Sequence, residues 1–294
     1  MSNPLVSIII PTFNRTSLLP ETLDSIIAQD YEMWECLLID DGSTENNLDI
    51  LHKYSVLDNR FIVLERKKFN KPKGANACRN IGLEQAKGDF IIFFDSDDLM
   101  TQNHLSTKVK LIQSADYDFA VTRTQYFNEP DNPVPINYRG LDSLPINGPN
   151  YITKKINWLT FDVIIKKNIA QQINFNENLQ ANQEYNYFSK LTTLTDKATQ
   201  EDHIVSLKRF DPKSIQGNLS TNQKSAHEKA FQSYWHTYLD LEGKLDRKTA
   251  SYLINQCLEA QYRNPEIHFN KIQFFNAMRK TKGLLKAIYY ARKF

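Results

Sequence analysis

Three carboxylates follow directly on an apolar run in the first third of the chain. Residues 90–94 are all large and apolar, and Asp95, Asp97 and Asp98 come just after them. A short continuous apolar run predicts a strand buried on both faces of a sheet. The three acids would then lie at the carboxyl end of that strand, where open α/β sheets bind ligands. Crowded carboxylates raise one another's pKa unless a cation lies among them, so the cluster predicts a divalent metal ion that also binds a diphosphate. For an isolated Asp-x-Asp, a turn that caps the next helix is the alternative interpretation.

The sequence around this cluster alternates strand and helix patterns. Apolar runs predict three earlier strands, at residues 6–10, 36–39 and 61–64. A helix with apolar residues at helical spacing opens near Thr16 or Ser17. A second helix, rich in small residues, begins at Gly74 and leads into the strand at 90–94. This alternation predicts a mostly parallel sheet with helices on both faces.

Four motifs at the ends of these elements occur together and in register. They are VSIIIPTFN at residues 6–14, DDGS at 40–43, ACRNIGL at 77–83 and DSDD at 95–98. The set resembles the inverting glycosyltransferases of family 2. The close resemblance covers residues 4–125, thins up to about residue 220 and is absent beyond that. It implies an α/β protein of the GT-A fold, a Rossmann-like, mostly parallel sheet with helices on both faces. The patterns later in the chain add an α-helical C-terminal extension.

The resemblance also implies roles for the residues of these motifs. Asp97 matches the acid that binds Mn²⁺ or Mg²⁺ directly, and Asp95 is expected at the ribose or at the waters of the metal, so both are predicted metal-site residues. Asp41 matches the acid that contacts the base, and Arg79 is expected to reach the diphosphate. The residues expected to bind the nucleotide sugar are Pro11, Thr12, Phe13, Asn14, Asp41, Arg79, Asp95 and Ser96.

The catalytic base of the family is an acidic residue at the start of a helix, usually in a Glu-Asp pair before an aromatic stretch. Glu184 is the residue that matches, and Gln183 stands where the first acid is usual. One base is enough for an inverting displacement. On position alone, the alternative interpretation of Glu184 is an acid that the helix dipole favours at a first turn. Asp162 and Asp98 are the next carboxylates to consider as bases.

Length and composition agree with one large α/β domain and an appendage. The 294 residues are 41% hydrophobic, and the net charge of +2 gives no indication of nucleic-acid binding. We expect a glycosyltransferase domain at 1–222, with a nucleotide-binding half at about 1–115 and an acceptor half at about 116–222, and a helical region at 223–294.

Without a leader or an apolar run of membrane-spanning length, the sequence predicts a cytoplasmic protein. Three scattered cysteines are predicted to be free thiols of a reducing compartment: Cys36, Cys78 and Cys257.

The middle of the chain is expected to build the acceptor side. Patterns predict strands at 117–127 and 161–165, a short helix from Lys167 and a longer one that opens at Gln183. The segment 128–149 contains five prolines and is predicted to be a long surface loop. A basic run at residues 66–73 is interpreted as a solvated loop, with screening of a diphosphate as the alternative.

The last part of the chain changes in character. From about Ser225 the patterns predict three or four helices and no strand. Between Ile267 and Phe294 there are basic, aromatic and aliphatic residues but no Asp or Glu. The basic residues are Lys271, Arg279, Lys280, Lys282, Lys286, Arg292 and Lys293. A basic amphipathic helix of this kind can lie on an anionic membrane, at the inner face of the cell membrane in this case. A basic helix packed by its apolar side is the alternative.

Taken with the resemblance, these features predict a metal-dependent inverting hexosyltransferase. It would move a sugar from a nucleoside-diphosphate sugar, with UDP the commonest donor nucleotide of the family, to a hydroxyl of a glycan or lipid-linked glycan during surface polysaccharide biosynthesis. The alternative is a sugar-nucleotide or glycan-binding pseudoenzyme of the same fold, which the altered Gln183–Glu184 pair leaves open. A nucleotidyltransferase would need a Gly-rich basic phosphate loop after the first strand, and residues 11–15 are not one.

Overall fold

The computed structural model describes residues 3–127, 136–210 and 223–291. Three prolines of the predicted loop, Pro130, Pro133 and Pro135, and the basic residues Arg292 and Lys293 lie outside the described residues. So does position 222, at which the helical region was expected to separate from the glycosyltransferase domain. The chain forms two compact units. The first is Met1–Ile146, Ile156–Glu177 and Thr195–Phe210, and the second is Asn147–Lys155, Asn178–Leu194 and Asp211–Phe294.

Eight strands of the described residues form one sheet in the first unit. They are β1 (Val6–Thr12), β2 (Trp34–Asp40), β3 (Phe61–Glu65), β4 (Phe90–Phe93), β5 (Leu99–Met100), β6 (Phe119–Phe127), β7 (Val163–Lys166) and β8 (Ala198–Arg209). The spatial order is β3-β2-β1-β4-β7-β6-β8-β5. Strands β3, β2, β1 and β4 are parallel, β7 runs antiparallel to β4 and β6, and β8 is parallel to β6. The prediction of a mostly parallel α/β sheet is confirmed.

Helices pack on the sheet and make up the second unit. In chain order they are α1 (Leu19–Ile27), α2 (Glu45–Leu57), α3 (Ala75–Gln85), α4 (His104–Ile112), α5 (Gly148–Ile152), α6 (Lys167–Ala170), α7 (Gln183–Leu194), α8 (Gln223–Asp240), α9 (Arg247–Arg263), α10 (Lys271–Lys282) and α11 (Leu284–Ala291). Every residue of β1, β2 and β4 is buried, which is why these strands read as continuous apolar runs. The predicted free cysteines are free and buried.

Helix α3 lies unusually close to the sheet. A Cβ atom added to Gly82 would lie 2.4 Å from Cγ2 of Ile9, so only glycine permits this approach of α3 to β1. The close packing fixes the position of Arg79, one turn earlier on the same helix, and its side chain is directed to the carboxyl end of β4.

Several predicted boundaries differ from the structure for local reasons. Helix α1 begins at Leu19, later than predicted, because the amides of Leu18 and Leu19 donate to the Arg15 carbonyl and form a separate turn. The basic run forms a short 3₁₀ helix, Arg66–Phe69, where a loop was predicted. The strand predicted at 161–165 begins at Val163, after a 3₁₀ turn at Thr160–Asp162.

Two features of the middle region were not predicted. The segment after residue 135 does not simply lie over the surface, because Leu141 is buried and the Tyr138 hydroxyl donates to Asp162. Strand β8 was missed altogether, since its residues 201–204 are mostly exposed and polar and break the alternation of a half-buried strand.

The second unit is helical in its described residues. Tyr185 on α7 is buried and donates its hydroxyl to the Ile152 carbonyl at the end of α5, 2.7 Å away. The next residue, Asn186, donates to Thr237 and Asp240 of α8. Residues 223–291 form four helices, within the predicted three or four. Within the ranges the structure describes, each helix is too short or too polar to cross a membrane.

Candidate active site

The loops after β1 and β2 lie side by side at the carboxyl edge of the sheet. The two strands are parallel and pair Thr12 with Asp40, and the Asp41 amide donates to the Thr12 carbonyl at 2.9 Å. Asn14, in the left-handed region with φ of 50°, joins the loops: its amide donates to the Ser43 hydroxyl and its side-chain oxygen accepts from an amide of the β2 loop. The structure therefore brings the predicted residues of the first two motifs together.

Asp41 is held by a positive partner. Its Oδ1 accepts from the Gly74 amide at 3.1 Å and from Nε of Arg66. Gly74, with φ of +137°, is the residue just before α3. The carboxylate is nearly buried. Arg66, at the start of the basic run, is thus a member of this site, and the solvated-loop interpretation does not apply to it.

Two features of the β1 end are suited to a ligand. Phe13 leaves 41% of its surface exposed, and the Lys73 ammonium lies 3.9 Å from the centre of its ring. Thr12 is buried, and its hydroxyl has no hydrogen-bond partner in the structure. An exposed aromatic face beside an unsatisfied hydroxyl presents both a stacking surface and a polar contact.

The three acids after β4 form a cluster at the same edge. Asp98 is almost completely buried; its Oδ1 accepts from the Arg209 amide at 2.8 Å, while Oδ2 has no hydrogen-bond partner. Burial raises the pKa of Asp98 to about 7; Asp95 and Asp97 add to this rise and Lys208 opposes it. Burial, followed by the charge of Asp95, also raises the pKa of Asp97. The buried Ser96 lies between the acids in sequence.

Each acid of the cluster has a basic neighbour. Arg79 donates to Asp95 at 2.8 Å. Arg15 lies 3.2 Å from Asp97. The third neighbour, the Lys208 ammonium, is 3.8 Å from Oδ2 of Asp98. Burial alone would lower the pKa of Lys208, but the charges of Asp98, Asp95 and Asp97 outweigh it and raise the pKa.

Sequence reasoning missed three of these basic residues. Lys208 and Arg209 end β8, the strand that was not predicted, and Arg209 also donates to the Asp97 carbonyl at 3.1 Å and to Glu21. Arg15 directly follows the first motif and had no predicted role. A basic pair at the end of a polar stretch was the only sequence signal for Lys208 and Arg209.

The cluster fits a divalent cation that a substrate helps to bind. Within the described ranges no three His, Cys, Asp or Glu side chains are grouped as a metal site of their own. Mg²⁺ is commonly bound by one or two carboxylates together with substrate phosphates, so such a set is not required. The raised pKa of Asp97 and the unpartnered Oδ2 of Asp98 are features of carboxylates that a further cation would stabilise. Asp97 and Asp95 are the residues that would hold it.

Glu184 belongs to the second unit. It lies in the first turn of α7 and is half-buried. The neighbouring Tyr185 and Asn186 fix this turn through their hydrogen bonds to α5 and α8. A carboxylate on a helix held in this way has a defined position, as a catalytic base requires.

Solved structures share this architecture. S. aureus TarS 1-349 in complex with UDP-GlcNAc is 18% identical, with 98% of this chain and 87% of that chain covered at a TM-score of 0.68. The mannosyltransferase PcManGT from Pyrobaculum calidifontis, in complex with GDP-Man and Mn²⁺, is 15% identical, with 100% and 87% covered at a TM-score of 0.62. The likeness confirms the predicted GT-A fold.

Two curated relatives match part of the chain. The glycosyltransferase GlyG of Streptococcus pneumoniae serotype 4 is 35% identical over 127 residues, which are 43% of this chain and 41% of GlyG. The GalNAc(5)-diNAcBac-PP-undecaprenol beta-1,3-glucosyltransferase of Campylobacter jejuni is 29% identical over 183 residues, 61% of this chain and 57% of the relative. The chain thus spans about half the length of each. The sequence profile of glycosyl transferase family 2 matches residues 7–176, more than half of the chain. The chain belongs to glycosyl transferase family 2.

Proposed function

We propose that the protein transfers a sugar from a nucleoside-diphosphate sugar to an acceptor hydroxyl with inversion at the anomeric carbon. The observation that carries this proposal is the cluster of Asp95, Asp97 and Asp98 at the carboxyl edge of the sheet, where burial and mutual repulsion raise the pKa of two acids. Such a cluster is costly for stability unless it binds a cationic or metal-bound ligand. The exposed Phe13 ring lies at the same edge of the sheet and suits a base.

The donor we propose is a UDP-sugar, bound across the loops of β1, β2 and β4. Phe13 would stack against the base, with Pro11 and the Thr12 hydroxyl lining the pocket and Asp41 accepting a hydrogen bond from the base. Arg79 would donate to the diphosphate. The complex of TarS with UDP-GlcNAc supports a uridine donor, whereas PcManGT is in complex with GDP-Man.

The diphosphate leaves while the acceptor oxygen attacks from the opposite face. Asp97 and Asp95 would hold Mn²⁺ or Mg²⁺, and the bound ion would act as a Lewis acid for the negative charge that develops on the diphosphate. Glu184 takes the proton of the acceptor hydroxyl as the new bond forms. Because one displacement occurs, the configuration at the anomeric carbon inverts.

For the acceptor we propose a lipid-linked glycan of surface polysaccharide biosynthesis, reached at an anionic membrane. The Campylobacter relative is named after an undecaprenol-linked glycan. In this chain α11 exposes a C-terminal patch, which consists of Leu284, Leu285, Ile288 and Tyr289. Leu285 is 84% exposed. Lys286 lies on the same helix, and burial together with its charge lowers the pKa of Lys282 on the preceding one. Exposed apolar groups among like positive charges match an anionic lipid surface.

Vesicle sedimentation tests the membrane contact. Leu284→Ser combined with Leu285→Ser should reduce binding to vesicles that contain anionic lipid about tenfold or more, because each side chain contributes buried apolar area. The matched control changes two exposed apolar residues of α2, Val56→Ser with Leu57→Ser. If both double variants sediment equally with the vesicles, the C-terminal patch does not contact the membrane.

A donor screen tests the function itself. The protein is incubated with Mn²⁺ and a panel of sugar nucleotides, and slow hydrolysis to free nucleoside diphosphate is followed. Turnover of a UDP-sugar supports the transferase. Binding of a sugar nucleotide that is never turned over, with or without candidate acceptors, would instead favour the pseudoenzyme that the Gln183–Glu184 pair leaves open.

A further inference from the structure

Arg15 forms an ion pair with Asp97, the carboxylate that is proposed to bind the metal. One of its terminal nitrogens lies 3.2 Å from Oδ2 of Asp97. We propose that Arg15 is a diphosphate-binding residue that exchanges partners: it pairs with Asp97 until a metal takes that carboxylate and then moves to the phosphate oxygens of the donor. This inference rests on the proposed function and deepens it.

The exposure of the basic side chains singles out Arg15 as the one that can move. Its side chain is 43% exposed, against 9% for Arg79 and 25% for Lys208. Arg79 is also held over the Phe175 ring, with 5.3 Å between the guanidinium carbon and the ring centre. Arg15 makes one contact with Asp97 and leaves the rest of its planar donor fork available.

The backbone of Arg15 does not have to move for this exchange. Its amide donates to Oδ1 of Asn47 at 3.0 Å. Its carbonyl accepts from the amides of Leu18 and Leu19, at 3.1 and 2.9 Å. The anchored main chain and the long side chain together allow the guanidinium to swing without rearrangement of the β1 loop.

Charge balance gives the reason for the exchange. Each of the three acids of the cluster already has a basic neighbour: Arg15, Arg79 or Lys208. A divalent ion on Asp97 would place a second cation beside the Arg15 guanidinium, and like charges at this distance repel. A diphosphate brings new negative charge, and arginine binds phosphate oxygens in bidentate fashion.

The exchange couples two binding events that can be measured separately. Without nucleotide, Arg15 competes with the metal for Asp97. With nucleotide, the same side chain contributes a charge-assisted hydrogen bond to the diphosphate. Arg15→Gln should therefore have opposite effects on the binding of the metal alone and on the binding of UDP with the metal, which a merely structural residue would not produce.

The experiment measures Mn²⁺ alone by electron paramagnetic resonance and UDP in excess Mn²⁺ by calorimetry. Arg15→Gln should bind Mn²⁺ alone several-fold more tightly than wild type and bind UDP about ten- to a hundredfold more weakly, the usual worth of a hydrogen bond to a charged group. Binding of uridine, which has no phosphate, should not change. Arg15→Lys should lie between wild type and Arg15→Gln, because it keeps the charge and loses the fork.

Arg60→Gln is the matched control. Arg60 is also paired with an aspartate, Asp58, but it lies over Trp34 at the amino end of β2. It should change neither Mn²⁺ nor UDP binding. Wild-type affinity of Arg15→Gln for UDP, or no gain in its affinity for Mn²⁺, would overturn the exchange. If wild type itself binds neither uridine nor UDP, the proposed function fails as well, and the two failures are thereby distinguished.

Discussion

Two of the buried acids in the first unit, Asp162 and Asp98, differ in how fully their oxygens are bonded. Asp162 is completely buried, and its carboxylate accepts from the Thr124 hydroxyl at 2.5 Å, the Tyr138 hydroxyl at 2.9 Å and the Leu159 amide at 2.7 Å. Asp98 is as deeply buried but accepts from one amide, and its Oδ2 has no hydrogen-bond partner.

Their lysine neighbours differ in the same sense. The Lys108 ammonium donates to the carbonyls of Phe161 and Asp162, at 3.0 and 2.5 Å, so it is bonded to main chain. Burial lowers the pKa of Lys108, and the charge of Asp162 opposes this change. Lys208 instead faces the acid cluster without a short hydrogen bond to Asp98. A closed network, as at Asp162, holds strands and a loop together. At an open site, here the cluster of Asp95, Asp97 and Asp98, incompletely bonded acids leave oxygens available to a ligand. The closed network also makes Asp162 a poor candidate for the catalytic base.

The largest effect is expected at Glu184, which extends the comparison to the second unit. Glu184→Gln is nearly isosteric and should lower transfer about 10²–10⁴-fold, the usual contribution of a general base. UDP affinity and melting temperature should stay as in wild type, because the donor contacts are proposed in the first unit. Steady-state kinetics with an acceptor measure the effect. A variant that turns over like wild type would assign the base to another residue, and Asp98 would be the next to test.

Asn substitutions at the two buried acids test the comparison directly. Asp162→Asn should lower the free energy of unfolding by about 3–5 kcal/mol. The amide nitrogen of Asn cannot accept a hydrogen bond, so one of the Thr124 and Tyr138 hydroxyls loses its acceptor, and Lys108 loses its countercharge. Asp98→Asn should change it by less than about 1 kcal/mol, since the Arg209 amide keeps an acceptor oxygen and no other hydrogen bond is lost. Urea titrations measure both. Equal destabilisation by the two variants would break the distinction between a closed and an open site.

A smaller effect is expected at Tyr138. Tyr138→Phe removes a donor to Asp162 and an acceptor for the Thr124 amide, which lies 2.8 Å from the hydroxyl. The expected loss is about 1–2 kcal/mol of unfolding free energy, with unchanged UDP affinity per folded molecule. Thermal unfolding measures the loss of stability, and calorimetry on the same sample measures the UDP affinity. A selective loss of UDP affinity would mean that the closed network also supports the donor site.

The acid cluster after β4, the open site, could be predicted from the sequence better than the closed network of Asp162. Apolar runs mark β1, β2 and β4 because both faces of these strands are buried, and the acids that follow them must lie at the carboxyl edge. The closed network joins Asp162 to Thr124, Tyr138 and Lys108, which are 38, 24 and 54 positions away. No local pattern records such contacts. The same holds for Lys208, since the pairing of β8 with β6 depends on the tertiary fold and includes register shifts.

Calorimetry of UDP binding with Mn²⁺ and with a chelator, on wild type and Asp97→Asn, tests the central claim most directly. We expect chelation to weaken UDP binding to wild type by at least about tenfold. Asp97→Asn should bind UDP weakly and equally in both conditions, with an unchanged melting temperature. Equal UDP affinity of wild type with and without Mn²⁺, or wild-type affinity and metal response in Asp97→Asn, would contradict the assignment of the acid cluster to a metal-bound donor.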